Sequence, residues 1–426
     1  MAWGIGGAQL DPQIEEGEPL SFSAWVEVDL SALEHNLRLL QSRSQAPILP
    51  ILKGDAYGHG APVVASFLHS RGCSAVGVST VEEALDILSW TKVGIMLLTP
   101  PLPSQFPAVV RHGLTPAVTC PEQVPSLNHL ARLKQKTIPV QIKVDTGLGR
   151  LGVAPQGFKD LAEQIRKASH LHLGGVFTHF AAAACDRRFT RQQLACLLSL
   201  TEQLDHGSDG KDVAWHAANS AAFLTMPESH LDLVRLGTLL YGQSPLPLSQ
   251  EWTLRETWRC RARIIDTRWL PAGHSVGYAR AHRTCRATRI GVIPIGYAQG
   301  LELEPQAAPW RQIKQAAFRA LFAKEPVHHG RLALPILGRI SMGLSCLDLT
   351  GSDLQIGDTV SVQMRRTAVS RQVPRLYFLR GRLQCIFWNS RVLDPRGRCI
   401  SLEGLFSAGS PRRYGFRPAA HSRSDR

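Results

Sequence analysis

Ile48-Leu49-Pro50-Ile51-Leu52-Lys53-Gly54-Asp55-Ala56-Tyr57-Gly58-His59-Gly60 is the stretch on which the reading of this chain turns. Its first five residues are apolar with no polar alternation, the pattern of a strand buried on both faces. Lys53 closes that run, and a turn rich in glycine follows. Desolvation at a buried strand end lowers the pKa of a lysine, and glycines let a ligand approach the backbone closely. An isolated Lys-Gly pair would mark no more than the end of a strand. Lys53 becomes a candidate for chemistry through what surrounds it.

Outward from this run, strand-like segments alternate with helical ones. The expected strands are Ile48–Leu52, Ala75–Ser79, Gly94–Leu98, Thr115–Val118, Val140–Val144, Leu171–Phe177, Val213–His216 and Leu233–Leu236. Segments such as Val81–Leu88, Glu122–Leu133 and Thr190–Leu204 read as helices between them. Before them, Trp25–Leu30 alternates like a strand, and Ser31 is placed to cap a helix. An eightfold βα alternation predicts an α/β fold, an eight-stranded parallel β/α barrel. The polar residues fall at the carboxyl ends of these strands: Lys53, Lys143-Val144-Asp145, Thr178-His179, His216 to Ser220, and Arg235-Leu236-Gly237. That face of a barrel is where active sites are built. Singly, His179 reads as a satisfied histidine and Asn219-Ser220 as a helix cap. Five such groups on one face read as a site.

From Arg259 the pattern changes to Cys260–Leu270, Ser275–Ala279, Arg289–Ile295, Leu332–Ile340, Ser345–Leu349 and Thr359–Gln363, strands punctuated by glycine and proline. One helix, Trp310–Phe322, interrupts them. The expected division is a polar segment at 1–23, the barrel at 24–256, a smaller mainly β domain at 257–377, and an Arg-rich tail at 378–426 that loses regular structure. Fourteen arginines and only three acidic residues lie from Arg365 onward, so +11 of the formal +14 belongs to that end. The body has no basic stripe, and no nucleic-acid partner is expected. No apolar run approaches the roughly 20 residues that span a bilayer, so no membrane partner is expected either. Residues 1–19 lack the basic and apolar regions of a signal peptide. The nine cysteines are scattered and odd in number, which favours reduced thiols in a cytoplasm over a disulfide framework or a metal site.

Lys53 to Gly60 resembles the pyridoxal-phosphate lysine motif of the alanine racemase family, and the resemblance runs from Ala24 to Tyr377. It implies a racemase interconverting L- and D-alanine in the cytoplasm for cell-wall peptidoglycan, working as a homodimer with shared sites. It implies that Lys53 holds pyridoxal 5'-phosphate covalently and serves as one base. Tyr57, Ser220, Gly237 and Tyr297 match positions that hold the phosphate, with His179 and Asn219 among the cofactor contacts. Arg235 matches the arginine facing the pyridine nitrogen. Tyr278, in His274-Ser275-Val276-Gly277-Tyr278, matches the second base, supplied from the partner subunit; His179 and nearby arginines are the expected source of positive charge lowering its pKa. Lys143 and Arg150 match a carbamylated lysine and its arginine, and Arg150 and Met342 match substrate contacts. The chain departs from the family at Gly338-Arg339-Ile340-Ser341-Met342-Gly343, where the usual aspartate is replaced by Gly343. The stretch from Thr359 to Arg375 is also short for the family's gate segment, although Val373-Pro374-Arg375-Leu376-Tyr377 matches the final motif. A racemase of wider small-amino-acid range and a non-catalytic pyridoxal-phosphate carrier remain the alternatives. The β domain and Tyr278 speak against the carrier.

Overall fold

The computed structural model describes residues 22–204, 213–303 and 326–406. The expected helix Trp310–Phe322 and the ends of the chain lie outside them. The described residues form two compact units, one of residues 32–57, 61–204, 213–256 and 401–406, the other of residues 22–31, 58–60, 257–303 and 326–400.

β1, Ala24–Asp29, belongs to the second unit, not to the barrel that was expected to begin at residue 24. The barrel is built from β2 (Ile48–Pro50), β3 (Ala75–Val78), β4 (Gly94–Leu97), β5 (Ala117–Val118), β6 (Ile138–Lys143), β7 (Leu171–Phe177), β8 (Ala214–His216) and β9 (Val234–Leu236). These eight match the expected set to within a few residues. β2 pairs in parallel with β9, β3 with β4, and β5 to β8 form a continuous parallel sheet. Single bridges Ile51–Gly77 and Met96–Thr115 join β2 to β3 and β4 to β5. The amides of Asp232 and Arg235 donate to Trp215 O and Ala218 O and close the ring between β8 and β9. Leu49, Ile51, Met96 and Leu233 are buried together inside. Each such side chain contributes about 1.5–3 kcal/mol by leaving water. No helix among the described residues is long and apolar enough to cross a membrane, and all nine cysteines are free.

The second unit is mainly β, as expected. β10 (Trp258–Arg263), β11 (Asp266–Leu270), β12 (Ser275–Val276), β13 (His282–Arg283), β14 (Thr288–Ile293), β15 (Val327–His329), β16 (Leu332–Leu334), β17 (Ile336–Leu337), β18 (Ser345–Asp348), β19 (Thr359–Val362), β20 (Arg375–Leu379), β21 (Arg382–Trp388) and β22 (Arg391–Leu393) follow in order. The larger sheet runs β16-β15-β19-β10-β1-β20-β21-β22, and a four-stranded sheet runs β11-β14-β18-β17. β1 is central because it pairs antiparallel with β10 and parallel with β20. Its Glu27 is buried and offset by Arg261 Nε at 3.1 Å.

The tail beyond Tyr377 is a correction. It does not lose regular structure there but continues the large sheet through β21 and β22. Ile386 and Leu393 are buried with Trp25, Leu376 and Phe378, and Leu383 and Trp388 pack against them. The arginines that masked this pattern, Arg382 and Arg391, are exposed at the strand starts. Ile386→Ala is expected to cost about 2–5 kcal/mol, read as a lower urea midpoint. An unchanged midpoint would mean that this segment is detached.

Candidate active site

Lys53 leaves β2 into a left-handed helical turn. Gly54 (φ 62°), Asp55 (φ 56°), Ala56 (φ 54°) and Tyr57 (φ 55°) all lie in the left-handed region. For the three that carry a Cβ this costs roughly 1–2 kcal/mol each, a strain that persists only where the surroundings over-determine it. Here they do. Ala56 N donates to Leu52 O at 2.7 Å, Asp55 Oδ1 accepts from Ala61 N at 2.9 Å, and Gly54 N donates to Glu83 Oε1 at 2.6 Å. Ala56 is fully buried, and the Tyr57 ring packs on Tyr241 with centroids 5.0 Å apart. A Cβ on Gly237 would sit 2.3 Å from Tyr57 Oη, so only glycine there admits this ring. Burial keeps the Tyr57 phenol neutral by raising its pKa, partly offset by Thr238.

A cavity of about 520 Å³ opens at this carboxyl face of the barrel, within the usual size of a small-molecule site. Lys53, Lys143, Arg150 and Arg235 line it, together with Tyr57, His179, Asn219, Ser220 and Gly237. Among the described residues, no acidic side chain lines it. Lys53 is open to solvent in the cavity, yet protein surrounds it on several sides. Desolvation, then Arg150 and Arg235, lower its pKa, and Glu83 opposes them. Lys143 is buried, donates to Leu98 O at 2.9 Å, and is pushed down to about 8 by burial, Arg150 and Arg235. Arg150 follows a loop pinned by Asp145, whose Oδ1 accepts from the amides of Gly147 and Leu148 at 2.9 Å and Gly149 at 3.1 Å. Burial alone would raise the Asp145 carboxyl, but these amides hold it below the usual range.

Arg235 is buried at the end of β9. It donates from Nη2 to Thr178 O at 2.6 Å and Ala217 O at 3.1 Å, and from Nη1 to His216 Nδ1 at 2.8 Å. A guanidinium only donates, so His216 Nδ1 must accept and its hydrogen sits on Nε2. That nitrogen donates to Gln141 Oε1 at 3.1 Å. The reverse Gln141 orientation would shift the hydrogen to Nδ1 and set two donors face to face. His216 stacks on Phe177 at 5.0 Å, and Arg235 and Lys143 lie 5.2 and 5.6 Å from the same ring. Burial lowers the Arg235 pKa to about 9, which leaves it a cation at neutral pH.

Two expectations are corrected here. His179 cannot supply positive charge, because burial and then Arg235, Lys53, Arg150 and Lys143 push it down to about 3. Tyr278 is not in a strand. β12 ends at Val276, and Tyr278–Arg280 form a 3-10 turn in which Ala279 and Arg280 have positive φ. Asn219 takes the capping role: its Oδ1 accepts from Ala221 N and Ala222 N at the start of the helix Ser220–Thr225. Tyr278, Tyr297 and Met342 lie in the β-rich unit and are exposed there, Tyr278 by 70 %.

Two family profiles match the chain, "Alanine racemase, N-terminal domain" over residues 28–245 and "Alanine racemase, C-terminal domain" over residues 257–374. The chain belongs to the alanine racemase family. An alanine racemase of Caldanaerobacter subterraneus subsp. tengcongensis is 34 % identical over 388 residues, covering 84 % of this chain and 95 % of that one. An alanine racemase of Chlorobaculum tepidum is 33 % identical over 340 residues, 78 % of this chain and 84 % of that one. The crystal structure of a Bartonella henselae alanine racemase with covalently bound pyridoxal phosphate is 26 % identical with a TM-score of 0.70, covering 84 % of this chain and all of that one.

For this alanine racemase family member, sequence reasoning missed Glu83, Gln141, Phe177 and Thr238. Two had a signal. Thr80-Val81-Glu82-Glu83 is a capping-box pattern, and Gln141 is a lone polar residue inside the apolar run of β6. His179 and His216 both have pKa values lowered by burial and by Arg235, so each is neutral above its depressed value. Imidazole NMR from pH 5 to 8 is expected to show neither gaining a proton, with His216 as the Nε2–H tautomer. Protonation of His216 in that window would break the hydrogen-bond assignment.

Proposed function

We propose that the protein interconverts L- and D-alanine with pyridoxal 5'-phosphate held on Lys53, in the cytoplasm, for peptidoglycan. The observation that carries this is a lysine of lowered pKa amid Lys143, Arg150 and Arg235, in a cavity that no acidic side chain among the described residues lines. Those cations suit an anionic cofactor and a substrate carboxylate. The neutral Tyr57 hydroxyl, the Ser220 hydroxyl and the side-chain-free Gly237 suit a phosphate. Arg235 makes no bond from Nε among the described residues and lines the cavity, which suits a ring nitrogen.

When bound, pyridoxal phosphate supplies an electron-withdrawing ring that acidifies the α-proton of the amino acid joined to it. Arg235 only donates hydrogen bonds, so it would leave the ring nitrogen unprotonated and moderate that withdrawal. Lys53 takes or returns the α-proton on one face, and its lowered pKa provides the free amine this needs. The partner subunit's Tyr278 serves the opposite face in a homodimer, a role that the exposure of Tyr278 supports. Arg150 and Met342 contact the substrate, His179 and Asn219 the cofactor, and Tyr297 the phosphate. Lys143, at about 8, has an appreciable free-amine fraction at neutral pH. That amine can add to carbon dioxide, giving a carbamate beside Arg150 and releasing a proton.

A chiral assay of the purified protein is expected to interconvert the alanine enantiomers, and borohydride to fix the cofactor on Lys53. Lys53→Ala should cut kcat by at least about 10²–10⁴. Labelling elsewhere, or no racemisation, removes this reading. Mixing inactive Lys53→Ala and Tyr278→Phe chains under subunit exchange should restore part of the activity. No recovery would show that the sites are not shared.

A further inference from the structure

Glu83 lies in the helix Val81–Leu88, where it completes a capping box with Thr80. Such a carboxylate ordinarily serves its own helix start. Oε2 does so, accepting from Ser79 N at 2.8 Å and Thr80 N at 3.3 Å. Oε1 leaves the helix and accepts from Gly54 N at 2.6 Å. Gly54 follows Lys53 directly and opens the left-handed turn. One side chain therefore ties the loop after β3 to the turn after β2, and both loops contribute to the cavity through Ser79 and Lys53.

We infer that Glu83 is a positioning residue for Lys53: it holds the strained turn against the start of the helix Val81–Leu88 and sets a negative charge against the cations around the lysine. The groups facing Lys53 are Lys143 and Arg150 from β6 and its loop, His179 after β7, Arg235 from β9, Tyr57 from its own turn, and Glu83. His179 is neutral, Tyr57 is a neutral phenol, and Arg150 and Arg235 disfavour a further positive charge on Lys53. Glu83 favours it, so it keeps the Lys53 amine basic where the arginines alone would weaken it. The geometric hold and the charge come from the same two oxygens.

The link to catalysis rests on the cofactor reading above, but the inference is tested on the full chain freed of cofactor. Competitive acetylation with acetic anhydride, followed across pH by peptide mapping, titrates the Lys53 amine. Glu83→Gln keeps an acceptor for Gly54 N and removes the charge. It should make Lys53 react about two- to fivefold faster at pH 7, the range an exposed charge pair supports. Thr80→Ala weakens the same helix start and keeps the carboxylate, so its Lys53 profile should overlay the wild type. Glu83→Ala, which loses the acceptors as well, should also slow cofactor uptake at Lys53. Superimposable profiles for Glu83→Gln and wild type, or an equal shift from Thr80→Ala, would overturn the inference. Borohydride labelling of the wild type is scored separately, so failure of the cofactor reading leaves the Lys53 titration intact as a test.

Discussion

Three residues with a Cβ held in left-handed geometry directly after β2 are the constraint on which the site depends. Roughly 3–6 kcal/mol of backbone strain at this rate per residue has to be offset by contacts, and the contacts come from different elements. Glu83 reaches across from the first turn of the helix Val81–Leu88, Asp55 binds the start of the following helix, and Tyr57 is wedged beside Gly237 and Tyr241. Tyr57 and Gly237 line the cavity, as does Ser79, which Glu83 also holds, so the turn that fixes Lys53 fixes part of the shape of its surroundings. Loss of one support frees strain that the others then carry.

The electrostatics follow from the same crowding. Four cations around one concave space, with no acid among the described residues lining it, are stable only if the titratable groups among them give up charge. Lys53 and Lys143 are displaced downward, and His179 and His216 lie neutral. Arg235 is displaced downward as well, to about 9, yet keeps its proton at neutral pH. It is held by two carbonyls and an imidazole acceptor, with Phe177 beneath. A cation held this firmly, with donors left over, suits recognition of an acceptor on a ligand ring.

The motif that opens the chain's chemistry is shared between the two units. Lys53 to Tyr57 belong to the barrel, whereas Gly58 to Gly60 belong to the β-rich unit. There Trp258 Nε1 donates to Gly58 O at 3.1 Å, and Tyr377 Oη donates to His59 O at 2.8 Å. A Cβ on Gly60 would lie 2.0 Å from Tyr377 Oη, which by itself explains a glycine at this position. Glycines that read as one ligand-approach signal thus have at least two physical reasons.

The eight barrel strands were legible because their signal is local: a buried parallel strand is a short apolar run wherever it occurs. So were the polar groups at the strand ends, since barrel topology alone brings carboxyl ends to one face. Local pattern could not reveal that β1 pairs with β10 and β20, because an alternating strand does not name its partner. Nor could it show the strands beyond Tyr377, where exposed arginines dilute the apolar positions. The sequence by itself determined the fold class, Lys53 as the candidate at the centre of the site, and the residue types around it. Only the tertiary structure decided the left-handed turn, the neutral state of His179, the tautomer of His216 and the reach of Glu83. Each of these depends on which distant groups stand within a few ångströms, and neither strain nor desolvation is written in the order of residues.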